Sequence, residues 1–252
     1  MKPNKKCIAI ILAVSVVLLT CTLIVSILIY FGVILLNNPS REEYPVTGVD
    51  VSTYQGSIDW ETLSSQEIDF VFIKATEGSS LVDPRFSENF AKAQEQDLAV
   101  GAYHFFSYDS SAETQAQNFI NTVIPFDGML PPVIDLEFYG KYDKEPAGRS
   151  CVDEQLGIFI KAIEDHFGMS PIIYATERSY DLYLSGAYEK YDIWIRDVYF
   201  DPALSDGREW TFWQFTNRGR LKGYSGKEKY IDMNVFNGTR DEFDDYPRYK
   251  KN

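Results

Sequence analysis

Asp135 and Glu137 stand two residues apart in the run Pro132-Val133-Ile134-Asp135-Leu136-Glu137, which is otherwise apolar. On a β-strand, residues two apart share a face, so both carboxyls point one way while Ile134 and Leu136 point the other. Two carboxyls held that close, and partly away from water, do not ionise equally, and one keeps its proton at neutral pH. One protonated and one charged carboxyl is what cleavage of a glycosidic bond requires. The same pair also occurs in ordinary ion-pair clusters, so its company decides the reading. Asp50, Lys74, His104 and Asp232 fall in or at the ends of other β-like runs. A carboxylate metal site is the rival, but no His-x-His or His-x-x-x-His spacing accompanies the acids, and no metal or cofactor is assigned.

Rings supply the second set. Tyr54, Tyr103, Phe138, Tyr139, Tyr174, Trp194 and Trp213 lie in or just after β-like runs. Flat apolar faces with polar edges suit sugar rings, which present C–H patches bordered by hydroxyls. Tyr103, Tyr139, Tyr174, Trp194 and Trp213, with Lys74, are therefore the candidate substrate contacts. Each ring taken singly suits a packed core equally well.

These side chains need a frame that gathers them. Eight runs read as strands: Gly48–Ser52, Phe70–Lys74, Val100–Phe105, Pro132–Glu137, Pro171–Tyr174, Ile193–Arg196, Trp210–Phe215 and Ile231–Val235. Most are apolar without strict alternation, the pattern of strands covered on both faces. Helical spacing appears in Asp83–Asp97 (Phe86, Phe90, Ala93), after Ser110 with Glu113 as a capping box, and in Val152–Phe167, which Ser150 can cap and Gly168 can end. After Ile193–Arg196 the connections are rich in Gly and Pro, so the last three strands are expected to join mostly as antiparallel neighbours. The fold class is α/β, an eight-stranded barrel in which helices cover the early strands. In such a barrel the reactive groups collect at the C-terminal strand ends, and the first and eighth strands meet, bringing Asp50 to Asp232.

The N-terminus carries a different signal. No charged residue occurs from Cys7 to Ser40, and Ile8–Leu36 is almost wholly apolar. That exceeds both the roughly 20 residues a bilayer needs and the roughly 7–15 of a cleavable signal core. Residues 7–36 are therefore read as an uncleaved transmembrane anchor, with 1–6 (Lys2, Lys5 and Lys6) cytoplasmic and the rest outside. A linker at 37–45, a catalytic domain at 46–241 and a charged tail at 242–252 complete the organisation. The chain has 252 residues and a net charge of −13, with three lysines and no acid before residue 37, so the exterior part is still more acidic. A nucleic-acid surface is excluded by that balance. Cys151 is the lone cysteine outside the span, which rules out an internal disulfide or thiolate metal site there.

The ordered motifs carry a resemblance. Gly48-Val49-Asp50-Val51-Ser52 is followed by Tyr54-Gln55-Gly56 and Ile58-Asp59-Trp60, then by Phe72-Ile73-Lys74-Ala75-Thr76-Glu77-Gly78. Gly101-Ala102-Tyr103-His104-Phe105, Asp135-Leu136-Glu137, Ile173-Tyr174, Ile193-Trp194, Trp213-Gln214-Phe215 and Asp232-Met233-Asn234 follow in order. From about Thr47 to Asp241 the chain resembles glycoside hydrolase family 25, the lysozyme family of N-acetylmuramidases. The resemblance implies a flattened (β/α)5(β)3 barrel and hydrolysis of the β-1,4 bond between N-acetylmuramic acid and N-acetylglucosamine in peptidoglycan. It makes Glu137 the general acid, with Asp135, Asp50 and Asp232 completing the acidic cluster, and leaves open whether an aspartate attacks or orients the substrate's acetamido group. Arg196 departs from the small residue common at that place in the family.

The expected protein is thus a membrane-tethered muramidase with a monomeric catalytic domain, whose partners are peptidoglycan glycan strands and the lipid bilayer. A catalytically inactive glycan-binding module of the same fold and a chitinase-like glycosidase are the alternatives. The four intact acids weigh against the first, and Pro131-Pro132-Val133-Ile134 in place of alternating acids weighs against the second.

Overall fold

The computed structural model describes residues 5–251; the outermost part of the expected cytoplasmic segment and Asn252 lie outside the described residues. The chain divides into two compact units, Met1–Leu36 and Asn37–Asn252. The first is built on α1 (Lys5–Tyr30), whose apolar side chains are exposed all round and which is long enough to cross a membrane.

The second unit is a closed sheet flanked by helices. Its strands are β1 (Thr47–Val51), β2 (Phe70–Glu77), β3 (Leu81–Val82), β4 (Ala99–Phe105), β5 (Val133–Leu136), β6 (Ile172–Thr176), β7 (Ile193–Arg196), β8 (Phe212–Gly219) and β9 (Ile231–Phe236). The order is β1-β9-β8-β7-β6-β5-β4-β2-β3, and pairing of β1 with β2 closes eight strands into a barrel, with the two-residue β3 added to the edge of β2. All eight expected strands are present, shifted at most a few residues at their ends.

One connection differs from expectation. β7 and β8 are parallel, and among the eight barrel strands only β9 runs against its neighbours, β8 and β1. The stretch 197–211 contains no helix. It is nevertheless long enough to return to the start of a parallel strand, because a crossover needs about a dozen residues and not necessarily a helix.

Helices α2 (Trp60–Ser64), α3 (Phe86–Gln94), α4 (Ala112–Thr122), α5 (Arg149–Phe167), α6 (Glu177–Ser179) and α7 (Arg240–Asp244) follow the same logic of capping and apolar stripe. Asp59 caps α2 by accepting from Thr62 N. α4 is capped by Ser111 rather than Ser110, and α5 begins at Arg149 behind Gly148, earlier than the Val152 start behind Ser150. Gly168 ends α5 with φ 66°, the left-handed conformation that favours glycine. Phe159, Ile160 and Ile163 of α5 face the outward residues Ile134, Leu136 and Ile173 of the sheet in one layer of core.

A second core fills the barrel itself. Phe70, Phe72, Trp194, Phe212 and Phe236 are buried there with Phe243 and Tyr246. The rings fit because Gly48 and Gly101 carry no side chain: a Cβ at Gly48 would come within 2.4 Å of Phe70, and one at Gly101 within 2.6 Å of Phe72. The segments read as linker (37–45) and charged tail (242–252) both pack on this body. The presumed tail forms α7 and then plugs the barrel floor, with the Phe243 ring 5.2 Å from Phe236 and Tyr246 donating to Asp192 at 2.6 Å. The presumed linker lies against the domain, with Tyr44 packed on Trp210 and Trp213 and Arg41 paired with Asp69 at 3.2 Å. Hydrophobic residues set among charges, Tyr44, Phe243 and Tyr246, hold both segments against the barrel.

Candidate active site

The period of two along each strand assembles the site. On β5, Val133 enters the barrel core and Ile134 and Leu136 enter the outer core, leaving Asp135 and then Glu137 facing the lumen at its C-terminal end. On β1, Val49 and Val51 are outward, so Asp50 is inward. β9 runs the opposite way, which puts its first residues at the same end as the last residues of the others. Asp232 is the direct cross-strand neighbour of Asp50. The result is a cleft of about 580 Å³ lined by Asp50, Lys74, Tyr103, Asp135, Glu137, Tyr174, Trp194, Arg196 and Asp232.

Beneath the acids lies a fixed set of hydrogen bonds. Trp194 Nε1 donates to Asn234 Oδ1 at 2.8 Å, and Asn234 Nδ2 donates to Asp50 Oδ2 at 2.9 Å. From the other side Tyr174 donates to Gln214 Oε1 at 3.1 Å, and Gln214 Nε2 donates to the same Asp50 Oδ2 at 2.8 Å. An indole nitrogen can only donate, so it fixes which way the Asn234 amide faces and guarantees Asp50 a donor. Asp50 is thereby held rigidly although it is buried.

Burial dominates the electrostatics. It raises Asp135 well above the ordinary carboxylate range, with the neighbouring Glu137 charge adding to the effect. Asp135 Oδ1 is buried without a hydrogen-bond partner, which sharpens that cost. Glu137 is also raised by burial, opposed by the Arg196 guanidinium and raised further by Asp50. Burial raises Asp232 strongly, with Asp50 next in effect, whereas Asp50 is raised by burial but relieved by Asn234 and Gln214. Asp232 is thus the more reluctant of the pair to ionise. Lys74 reaches Glu77 Oε2 at 2.7 Å and lies over the Phe105 ring, a cation that counters the raising of Asp135 and Glu137.

All four acids, Lys74, Tyr103, Tyr174 and Trp194 therefore meet in one cleft, joined by Tyr54 and Phe138. Three residues singled out in the sequence do not. Trp213 is turned into the outer core, because Phe212 and Gln214 on either side of it point inward, and its Nε1 donates to Asp197 O at 2.7 Å. Tyr139 points away from the cleft, and its hydroxyl bonds Ser107 Oγ and accepts from Tyr108 N, both at 2.9 Å, which ties down the loop after β4. His104, next to the inward Tyr103, faces the helices, where it is bonded to Thr76 and Gln115. Burial pushes it down to about 4, so it stays neutral. Conversely, Gln214 and Asn234 were passed over, although each lies two residues from an inward neighbour, Phe212 and Asp232. Arg196 proves to be a cleft residue and the cation that bears on Glu137, Asp50 and Asp232.

Comparison with known proteins agrees with this geometry. Residues 49–224 match the family described as Glycosyl hydrolases family 25. The structure of a family 25 glycosyl hydrolase from Bacillus anthracis superposes with a TM-score of 0.79 at 52% identity, over 83% of this chain and 96% of that one. A bacterial lysozyme from Streptomyces coelicolor does so with a TM-score of 0.69 at 30% identity, over 78% of this chain and 94% of the other. Lysozyme M1 of Streptomyces globisporus is 32% identical over 77% of this chain and 68% of its own length. The carboxyls that the barrel gathers thus sit in the fold of enzymes that cut glycosidic bonds, and the chain belongs to glycosyl hydrolases family 25.

Proposed function

We propose that this glycoside hydrolase is a muramidase that cuts the β-1,4 bond between N-acetylmuramic acid and N-acetylglucosamine of peptidoglycan, held at the outer face of a membrane by residues 7–36. The observation that carries the chemistry is the buried Asp135 and Glu137 pair on one strand face, above the rigidly held Asp50. Because charging both is costly, the pair keeps a proton above the ordinary carboxylate range. Glu137, beyond the end of β5 and nearer the opening, gives that proton to the departing glycosidic oxygen. Asp50 offsets the positive charge that develops on the sugar ring, and Asp135, the more strongly raised of the pair, shares the proton that Glu137 delivers. Tyr54, Tyr103 and Phe138 offer ring edges and faces to the sugars over a floor formed by the buried Tyr174 and Trp194, and Arg196 supplies a cation at the rim.

The tether reading is supported by α1 and by Lys2, Lys5 and Lys6 ahead of its apolar run, which favour a cytoplasmic N-terminus. An acidic domain is not drawn to an anionic wall by charge, so local concentration from the tether replaces steering. Digestion of purified peptidoglycan by the protein, followed by mass analysis of the new reducing ends, tests the function. Muramic acid at those ends is the expected result. Glucosamine there would mean a different glycosidase, and no cleavage would mean a binding module.

A further inference from the structure

The turn after β7 is built to present two rings to the surroundings. Tyr199 N and Phe200 N both donate to Asp197 Oδ1, at 2.8 and 2.9 Å, so one carboxylate fixes the turn. Tyr199 is 63% exposed and Phe200 74% exposed. Neither they nor Val198 line the cleft. A rigid turn that holds two large rings in water gains nothing for the fold, since their apolar surface stays unburied.

The turn is also bonded to the residue that follows the apolar N-terminal run. The buried Asn37 donates through Nδ2 to Asp197 O at 3.1 Å and to Phe200 O at 3.2 Å. Asn37 is the next residue after Leu36, the last of the uninterrupted apolar stretch that continues from α1 through Phe31-Gly32-Val33-Ile34-Leu35-Leu36. Only the six non-helical, apolar residues 31–36 separate α1 from Asn37, a reach of at most about 20 Å. The segment 37–45 adds no free length, because it is docked along the barrel by Asn37, Arg41 and Tyr44.

We infer that the Val198–Phe200 turn is a membrane-contact element, whose Tyr199 and Phe200 rings seat in the headgroup layer of the bilayer crossed by residues 7–36. The inference rests on the reading of that run as an anchor. Rings with an apolar body and, in tyrosine, a polar tip favour that layer. The turn carries no cation, and Asp201 follows it, so the contact depends on the rings and not on attraction to anionic lipid.

The test uses the full chain with Cys7, Cys21 and Cys151 replaced by Ala, carrying either Phe200→Cys or Ile124→Cys, labelled with a small fluorophore. Ile124 is 73% exposed and lies in the loop leading to the N-terminal end of β5, away from the turn. The protein is reconstituted into vesicles of phosphatidylcholine and phosphatidylglycerol, floated, and quenched with aqueous iodide or with lipids spin-labelled at the headgroup. The label at 200 should be several-fold less sensitive to iodide than the label at 124, and quenched by the spin-labelled lipid, which should leave the label at 124 untouched. Equal iodide quenching at both positions in floated protein overturns the inference while leaving the anchor standing. Protein that does not float overturns the anchor itself and the inference with it. A double variant Tyr199→Ser, Phe200→Ser should cut soluble glycan fragments with unchanged KM; a raised KM, with the label at 200 in water, would assign the turn to glycan instead.

Discussion

Along β5 the inward residue at the closed end of the barrel is Val133, and at the open end it is Asp135. Along β8 the pair is Phe212 and Gln214, and along β9 it is Phe236 and Asn234. One set of strands thus builds two interiors. The closed end is a pack of rings: Phe72 stacks on Trp194 at 4.7 Å, Phe212 meets Phe70 at 5.3 Å, and α7 seals the floor. The open end holds four carboxyls that burial makes reluctant to ionise. Residues two apart on the same strand therefore serve opposite ends: the first stabilises the barrel, and the second spends part of that stability on chemistry. Trp194 touches both regions, since it stacks on the floor and orients Asn234 beneath Asp50.

The comparison makes its boldest claim at Glu137. Glu137→Gln keeps the shape but not the titrating proton, so turnover should fall by about 10²–10⁴ while glycan binding and thermal stability persist. Turnover within a few fold of the parent would remove Glu137 from the role of acid. The floor should behave in the opposite way. Phe212→Ala empties a fully buried site and should cost about 3–5 kcal/mol in denaturant unfolding of residues 37–252, with the surviving folded fraction still cutting glycan. Loss of turnover per folded molecule as large as for Glu137→Gln would erase the distinction between the two ends.

Asp232 sharpens it. A carboxyl raised by folding contributes stability below its ordinary range and loses it as pH rises through the folded value. Asp232→Asn removes that loss, so the variant should match the parent in acid and melt about 2–4 °C higher at neutral pH, while turning over more slowly. A lower melting point at neutral pH would show that Asp232 is a stabilising contact instead. The smallest effect is on the pH profile. The Asp50 charge raises Glu137 and Arg196 lowers it. Asp50→Asn should move the alkaline limb of turnover to lower pH, and Arg196→Gln should move it to higher pH. Limbs that stay in place would mean these residues bear only on sugar binding.

Much of this was open to reading in the sequence, because strands report themselves through a period that does not depend on distant residues. Ile134 and Leu136 around Asp135 already imply which way the acids face, and the pairing of Asp50 with Asp232 follows once a barrel of eight strands must close. The apolar run before Asn37 is likewise a property of local composition. Other features needed the assembled chain. Whether Trp213 or Gln214 points inward depends on strand phase, which a tryptophan does not declare, since both cores accept one. The direction of β8 relative to β7 is set by where the helix-free stretch 197–211 returns, and no residue in it encodes that. Phe243 and Tyr246 look like stray rings in a charged tail until a barrel floor exists to receive them. The network Trp194, Asn234, Asp50, Gln214 and Tyr174 joins five strands, and its specificity lies in amide orientations that only packing can impose. Local periodicity therefore determined which residues face the lumen, and tertiary closure decided which of them meet, because meeting depends on register between strands far apart in the chain.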